Sequence, residues 1–144
     1  MSVTGTRLPQ MTLKFTARVA ATDDDKESLC VGVAEHDDGS GMFLTFMCML
    51  SEPDEQDVML GMDTYCLVTP DQGTAYGGVK EIAISDGVLR VVVADDDLEA
   101  LGLDHAEIEA TLAVDEKSIE QLRQSLRRVL TYGRLETHPV MVGV

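Results

Sequence analysis

Tryptophan is missing altogether, and tyrosine and phenylalanine contribute three residues each, so aromatics make up only 4% of the chain. The usual stacking platforms for single-stranded nucleic acid or sugars are thereby disfavoured. Positive charge is also scarce: 11 Lys and Arg face 26 Asp and Glu, giving a formal net charge of -15 and a pI near 4.3. Such a surface repels phosphate, which argues against nucleic acid and anionic membrane as partners. The sign suits a cationic partner, although acidic charge also serves plain solubility. Cysteine is limited to Cys30, Cys48 and Cys66. An odd count without a basic-then-apolar leader argues against a secreted disulfide framework and makes the cytoplasm the expected compartment. The longest uncharged apolar run, Gly41 to Leu50, is about half of what a bilayer-spanning helix needs.

What remains is a chain of 144 residues with 44% hydrophobic content, enough for one core without metal or disulfide support. Residues 1–10 read as an N-terminal tail, 11–133 as a single domain, and 134–144 as a C-terminal tail or an added edge segment. From Thr12 to Val19 polar and apolar residues alternate with period two, the mark of a half-buried strand. The Asp23-Asp24-Asp25 turn leads into Ser28 to Ala34, where Leu29, Val31 and Val33 oppose Cys30, Gly32 and Ala34, so a hairpin is expected. Asp37-Asp38-Gly39-Ser40-Gly41 is a second turn signal. The following strand, Met42 to Met49, is apolar on both faces, which predicts the most buried element of the fold. Thr64 to Thr69 and Val79 to Ser85 read as strands joined by a Gly-rich connection, and Asp86-Gly87 turns the chain into Val88 to Ala94. A short helix at 95–102, a strand at 106–114 and an amphipathic helix capped by Asp115 complete the reading. The expected architecture is α+β: an antiparallel meander sheet with a short helix and a C-terminal amphipathic helix packed on one face.

Chemistry-bearing patterns are thin. The acids gather in connections: Asp23 to Asp25 with Glu27, Glu35 with Asp37 and Asp38, Glu52 to Asp57, and Asp95 to Asp97. If the meander brings several of these loops to one end, their fields add and steer a basic partner; taken singly, each reads as a solvated turn or a helix cap. No acidic loop continues with calcium-site spacing, and His36, His105 and His138 lack zinc spacing with the cysteines, so no metal or cofactor is expected. Ser40 lacks a nucleophile elbow, and Cys66 inside a strand reads as a small buried thiol, so no catalytic residue is assigned.

The runs Glu52-Pro53-Asp54-Glu55-Gln56-Asp57, Leu60-Gly61-Met62-Asp63-Thr64-Tyr65, Asp71-Gln72-Gly73 and Tyr76-Gly77-Gly78-Val79 resemble the immunity protein 10 family of bacterial polymorphic-toxin systems. The downstream order does so too: a strand pair, a helix ending in Leu101-Gly102-Leu103, an acidic strand and a terminal helix with paired arginines. The resemblance covers roughly residues 12–131 and implies a cytoplasmic antitoxin, not an enzyme, that occludes a toxin domain, often a nuclease in such systems. It marks Gly61, Asp63, Tyr65, Tyr76, Gly77 and Gly78 as motif positions. On physical grounds Gly61, Gly77 and Gly78 are structural candidates. Toxin-binding candidates are Glu52, Asp54, Glu55, Asp57, Asp63, Tyr65 and Tyr76, the tyrosines suiting either an interface or a core with one wet end. Two other readings stay open: a small-ligand or enzymatic pocket between sheet and helix using Cys66 or Asp63, and a homo-oligomer suggested by eight methionines and the uncharged run at 42–50.

Overall fold

The computed structural model describes residues 12–24, 27–38, 40–50, 55–59, 63–70, 73–133 and 135–144. Its strands are β1 (Thr12–Ala17), β2 (Val19–Asp24), β3 (Ser28–Ala34), β4 (Phe43–Met49), β5 (Cys66–Thr69), β6 (Gly73–Tyr76), β7 (Val79–Ser85), β8 (Val88–Val93), β9 (Glu107–Leu112) and β10 (Val140–Val142). Its α-helices are α1 (Glu55–Met59), α2 (Leu98–Leu101) and α3 (Glu116–Leu130). The class is α+β, as expected, but the strands divide between two five-stranded sheets rather than forming one. The first is an antiparallel meander in the order β2-β3-β4-β5-β6. The second, β1-β9-β8-β7-β10, is mixed, because β1 runs parallel to β9 and β10 parallel to β7.

Two short crossings connect the sheets. The predicted strand at 12–19 ends at Ala17, and beyond Arg18 the chain continues as β2 in the other sheet. The alternation slips by one residue there: Leu13, Phe15 and Ala17 face the core before Arg18, and Ala20 and Thr22 after it. Because a strand's side chains alternate with period two, a one-residue slip re-aims everything that follows. The junction is held on both sides, with Arg18 N–H donating to Ala34 O (2.9 Å) and Ala113 N–H to Ala17 O (2.8 Å). The return crossing is Gly77-Gly78, between β6 and β7, where φ is 74° and 87°. Glycine reaches such angles without a Cβ penalty.

Local chemistry accounts for the β7–β8 turn and for the ends of α3. Asp86 (φ 53°) and Gly87 (φ 75°) both adopt positive φ, as a two-residue hairpin turn between β7 and β8 requires. The Asp115 carboxylate accepts the Ser118 amide at 2.8 Å, and Arg127 and Arg128 occupy the last turn of α3, so both ends of the helix dipole are complemented. The inner faces of both sheets and the α3 stripe of Leu122, Leu126, Val129 and Leu130 form one core. The helix lies against β2, β3 and β4 and is fastened there by Thr22 Oγ1 donating to Ser125 Oγ at 2.9 Å. Burial of these side chains contributes about 1.5–3 kcal/mol each. At the C-terminus β10 adds an edge to the mixed sheet, and the Arg127 guanidinium donates to the Val144 carbonyl.

The strand at 43–49 departs from its expectation. Leu44, Phe46 and Cys48 are buried, but Phe43, Thr45 and Met47 on the other side are only partly so, and Met49 is 46% exposed. It is covered on one face, not two. The Gly-rich connection at 70–78 also contains a strand, β6, too short to stand out by periodicity.

Candidate functional site

In a meander the register decides which loops share an end. Asp24 pairs with Leu29, Ser28 with Met49, Met47 with Cys66, and Cys66 with Tyr76. Asp23 and Asp24 at the end of β2, and Glu27 just before β3, thus share one end of the sheet with the exit of β4, the entry of β5 and the end of β6. The β3–β4 turn, carrying Glu35, Asp37 and Asp38, lies at the opposite end, since Ala34 pairs with Phe43. The carboxylates therefore flank the meander at two ends instead of converging at one.

The far turn is partly self-built. Glu35 Oε1 accepts the Met42 amide at 2.7 Å, and Asp38 Oδ1 accepts both the amide and the hydroxyl of Ser40 at 2.9 and 2.7 Å. The Ser40 hydrogen bonds hold the Asp38 carboxyl below its ordinary range. At the near end Asp24 meets Arg128 of α3 at 3.5 Å, while Asp23 is exposed.

Among the expected contact residues, Glu55 is exposed on α1. Glu52 and Asp54, the side chain of Asp57, and the structural candidate Gly61 lie outside the described residues. Tyr76 is 42% exposed at the near end of the meander, whereas Asp63 is 6% exposed and Tyr65 has no exposed surface. Tyr65 as a surface anchor is therefore corrected: Tyr65, Leu67 and Thr69 share the inward face of their segment, and Cys66 and Val68 the outward one.

Instead, Tyr65 joins three parts of the chain. Its hydroxyl accepts the Val79 amide (3.1 Å) from the mixed sheet and donates to Thr137 O (2.7 Å) in the C-terminal segment. Its carbonyl accepts the Gly77 amide at 2.8 Å. Burial pushes its phenol pKa up to about 12. Neighbouring Thr64 bonds Thr137 at 2.6 Å through their hydroxyls and bridges to Gly133. A Cβ on Gly77 would come within 3.2 Å of Thr137, and one on Gly78 would overlap the Asp97 carboxylate. The described parts of the two motifs, 63–65 and 76–78, thus meet around the crossing between sheets, where Tyr65, Gly77 and Gly78 act in the fold.

A residue row that the sequence left unassigned runs across the outward face of the meander. Asp23, Cys30, Met47, Cys66 and Tyr76 are successive register partners across all five strands and so point the same way. For Cys30, Met47 and Cys66 the signal was present as uncharged residues opposing the core set in their strands. A groove of about 280 Å³ at the near end is lined by Ser28, Met47, Cys48, Met49, Thr64, Cys66 and Tyr76. It opens beside the meander, not between sheet and α3. Burial raises the Cys66 and Cys48 thiols, the latter to about 11, the opposite of nucleophile activation. Among the described residues no group of His, Cys, Asp and Glu is placed to hold a metal, and no helix is long and apolar enough to cross a membrane.

Apart from Asp23, the described outward face of the meander is uncharged, and it lies between acidic ends of the sheet. The immunity protein 10 family model matches residues 16–120, and the chain belongs to that family. No curated protein and no solved structure matches it. The matched span runs from the end of β1 into the first turns of α3; the rest of α3, β10 and the Thr137 segment lie beyond it.

Proposed function

We propose that this chain is the cytoplasmic immunity protein of a polymorphic-toxin pair, which binds its cognate toxin domain and occludes a basic functional groove, such as that of a nuclease. Family membership supports the immunity role, and the net charge of -15 supports a cationic partner. The observation that carries the reading is the register of the meander, which sets Asp23, Asp24 and Glu27 at the same end of the sheet as Tyr76 on the opposite edge strand, the end where the chain leaves β4 towards α1 and Glu55. Carboxylates grouped in this way accelerate encounter with a basic surface and lose that effect as salt rises.

The test uses the toxin domain encoded beside this chain. Association is followed by stopped flow across a salt series for wild type and for the triple variant Asp23→Lys, Glu27→Lys, Glu55→Lys. The expected result is inhibition of the toxin by wild type and, for the variant, an association rate lower by about tenfold at low salt with a flatter salt dependence. Identical kinetics would remove the acidic end from the mechanism, and a toxin left fully active by excess wild type would remove the function.

A further inference from the structure

The outward face of the meander has a composition that the fold itself does not explain. On the mixed sheet the solvent side carries Lys14, Glu81, Arg90, Glu107 and Glu109, charges of both signs, with Arg90 and Glu107 paired. That is the ordinary form of an antiparallel sheet with one wet side. On the meander every described outward position is uncharged except Asp23 at the β2 edge. Met47 lies at its centre between Cys30 and Cys66, and Met49 and Tyr76 stand 46% and 42% exposed towards the acidic end. In a chain that is 26% charged, such a face is the anatomy of a contact surface, an uncharged centre within a charged rim.

We infer that this face is the surface on which the cognate toxin domain docks, an inference that rests on the immunity reading above. The complementary toxin surface has an apolar centre to cover Met47 and its neighbours, flanked by lysines or arginines. Those cations meet Asp23 and Glu27 at one end and Asp37 and Asp38 at the other. Five strands about 4.8 Å apart and six residues of about 3.3 Å give a plane of roughly 20 by 20 Å. That is about half of the ~800 Å² each partner contributes to a standard interface, so the acidic turns must belong to the contact as well. Charge also selects between a toxin and a second copy of this chain. Stacking two copies face to face about a twofold axis would bring acidic rims against acidic rims, which a net charge of -15 per chain opposes.

The test is made on the intact protein with the toxin domain encoded beside it. Methionine ε-methyl groups are labelled and followed by NMR as toxin is added, and affinity is measured by calorimetry for wild type, Thr45→Arg, Val68→Glu and Glu109→Arg. Thr45 and Val68 are register partners on the face in question, and Glu109 lies on the mixed sheet. The expected result is that the Met47 and Met49 signals move while that of Met141 does not, that Thr45→Arg and Val68→Glu weaken binding at least 100-fold with unchanged melting, and that Glu109→Arg binds as wild type. Wild-type binding with Met47 and Met49 unmoved overturns the docking face and leaves the immunity function standing. A wild-type protein that neither binds nor inhibits the toxin overturns both. Met47 and Met49 signals that shift on simple dilution, together with a dimer in light scattering, assign the face to a second copy and also overturn the proposal.

Discussion

The phenol of Tyr65 donates a hydrogen bond of 2.7 Å to the carbonyl of Thr137, joining the start of β5 to a segment 72 residues later. The same oxygen accepts the Val79 amide. Tyr65→Phe keeps the ring and leaves both backbone groups without this partner. A loss of about 1–3 kcal/mol in urea unfolding is expected, with the fold retained by circular dichroism. The folded phenol titrates near 12 against an ordinary value near 10. A raised pKa gives stability that is whole below the unfolded value and lost as pH climbs through the folded one. The stability gap between wild type and Tyr65→Phe should therefore hold below about pH 10 and narrow between about 10 and 12.

Gly78 faces two obstacles to any side chain, a φ of 87° and the carboxylate of Asp97. Gly78→Ala is expected to cost about 1–3 kcal/mol from backbone strain together with the overlap. Asp97→Ala removes the overlapping atoms but not the strain. The double variant should therefore recover part of the loss, a coupling that a double-mutant cycle in denaturant measures directly. Strict additivity would show that Asp97 does not press on this position.

The Ser118 side chain and, after it, the Ser118 amide hold the Asp115 carboxyl below its ordinary range. A lowered pKa gives stability that is present above the unfolded value and lost as pH falls through the folded one. Asp115→Ala should unfold earlier than wild type at neutral pH, Asp115→Asn should restore much of the difference, and the gap between wild type and Asp115→Ala should close on acidification below about pH 4. A gap independent of pH would mean the cap does not act through its charge.

The three thiols differ in burial: Cys48 is 7% exposed, and Cys30 and Cys66 are partly exposed. At pH 8 a thiol reagent should modify Cys30 and Cys66 slowly and Cys48 only on unfolding, since burial lifts the Cys48 thiol to about 11. Mass spectrometry of the labelled peptides gives the order. Bound toxin should slow labelling at Cys30 and Cys66, which lie on the inferred docking face.

Much of this fold could be read locally. Asp86-Gly87 named its own hairpin, and Asp115 named the start of α3, because each acts within a few residues of itself. What escaped was long-range. The parallel pairing of β1 with β9 and the phase slip at Arg18 leave a continuous alternating pattern that looks like one strand. At the candidate site, the inward place of Tyr65 was available from its phase with Leu67. The outward face of the meander was misread for a physical reason: an uncharged residue opposite a core residue looks the same whether a helix, a partner or nothing lies above it. Only the positions of α3 and the mixed sheet, both on the inner side, separated these cases.

Because the crossings fall at Arg18 and at Gly77-Gly78, the meander is a single uninterrupted stretch of chain, 19–76, inserted into a sheet assembled from segments on either side of it. During synthesis the neighbour-to-neighbour strands of that stretch can pair early. β1, however, must wait for a partner whose register begins at Glu107. The ribosome thus completes the meander before β7, β8, β9 and β10, the strands that close the mixed sheet around β1.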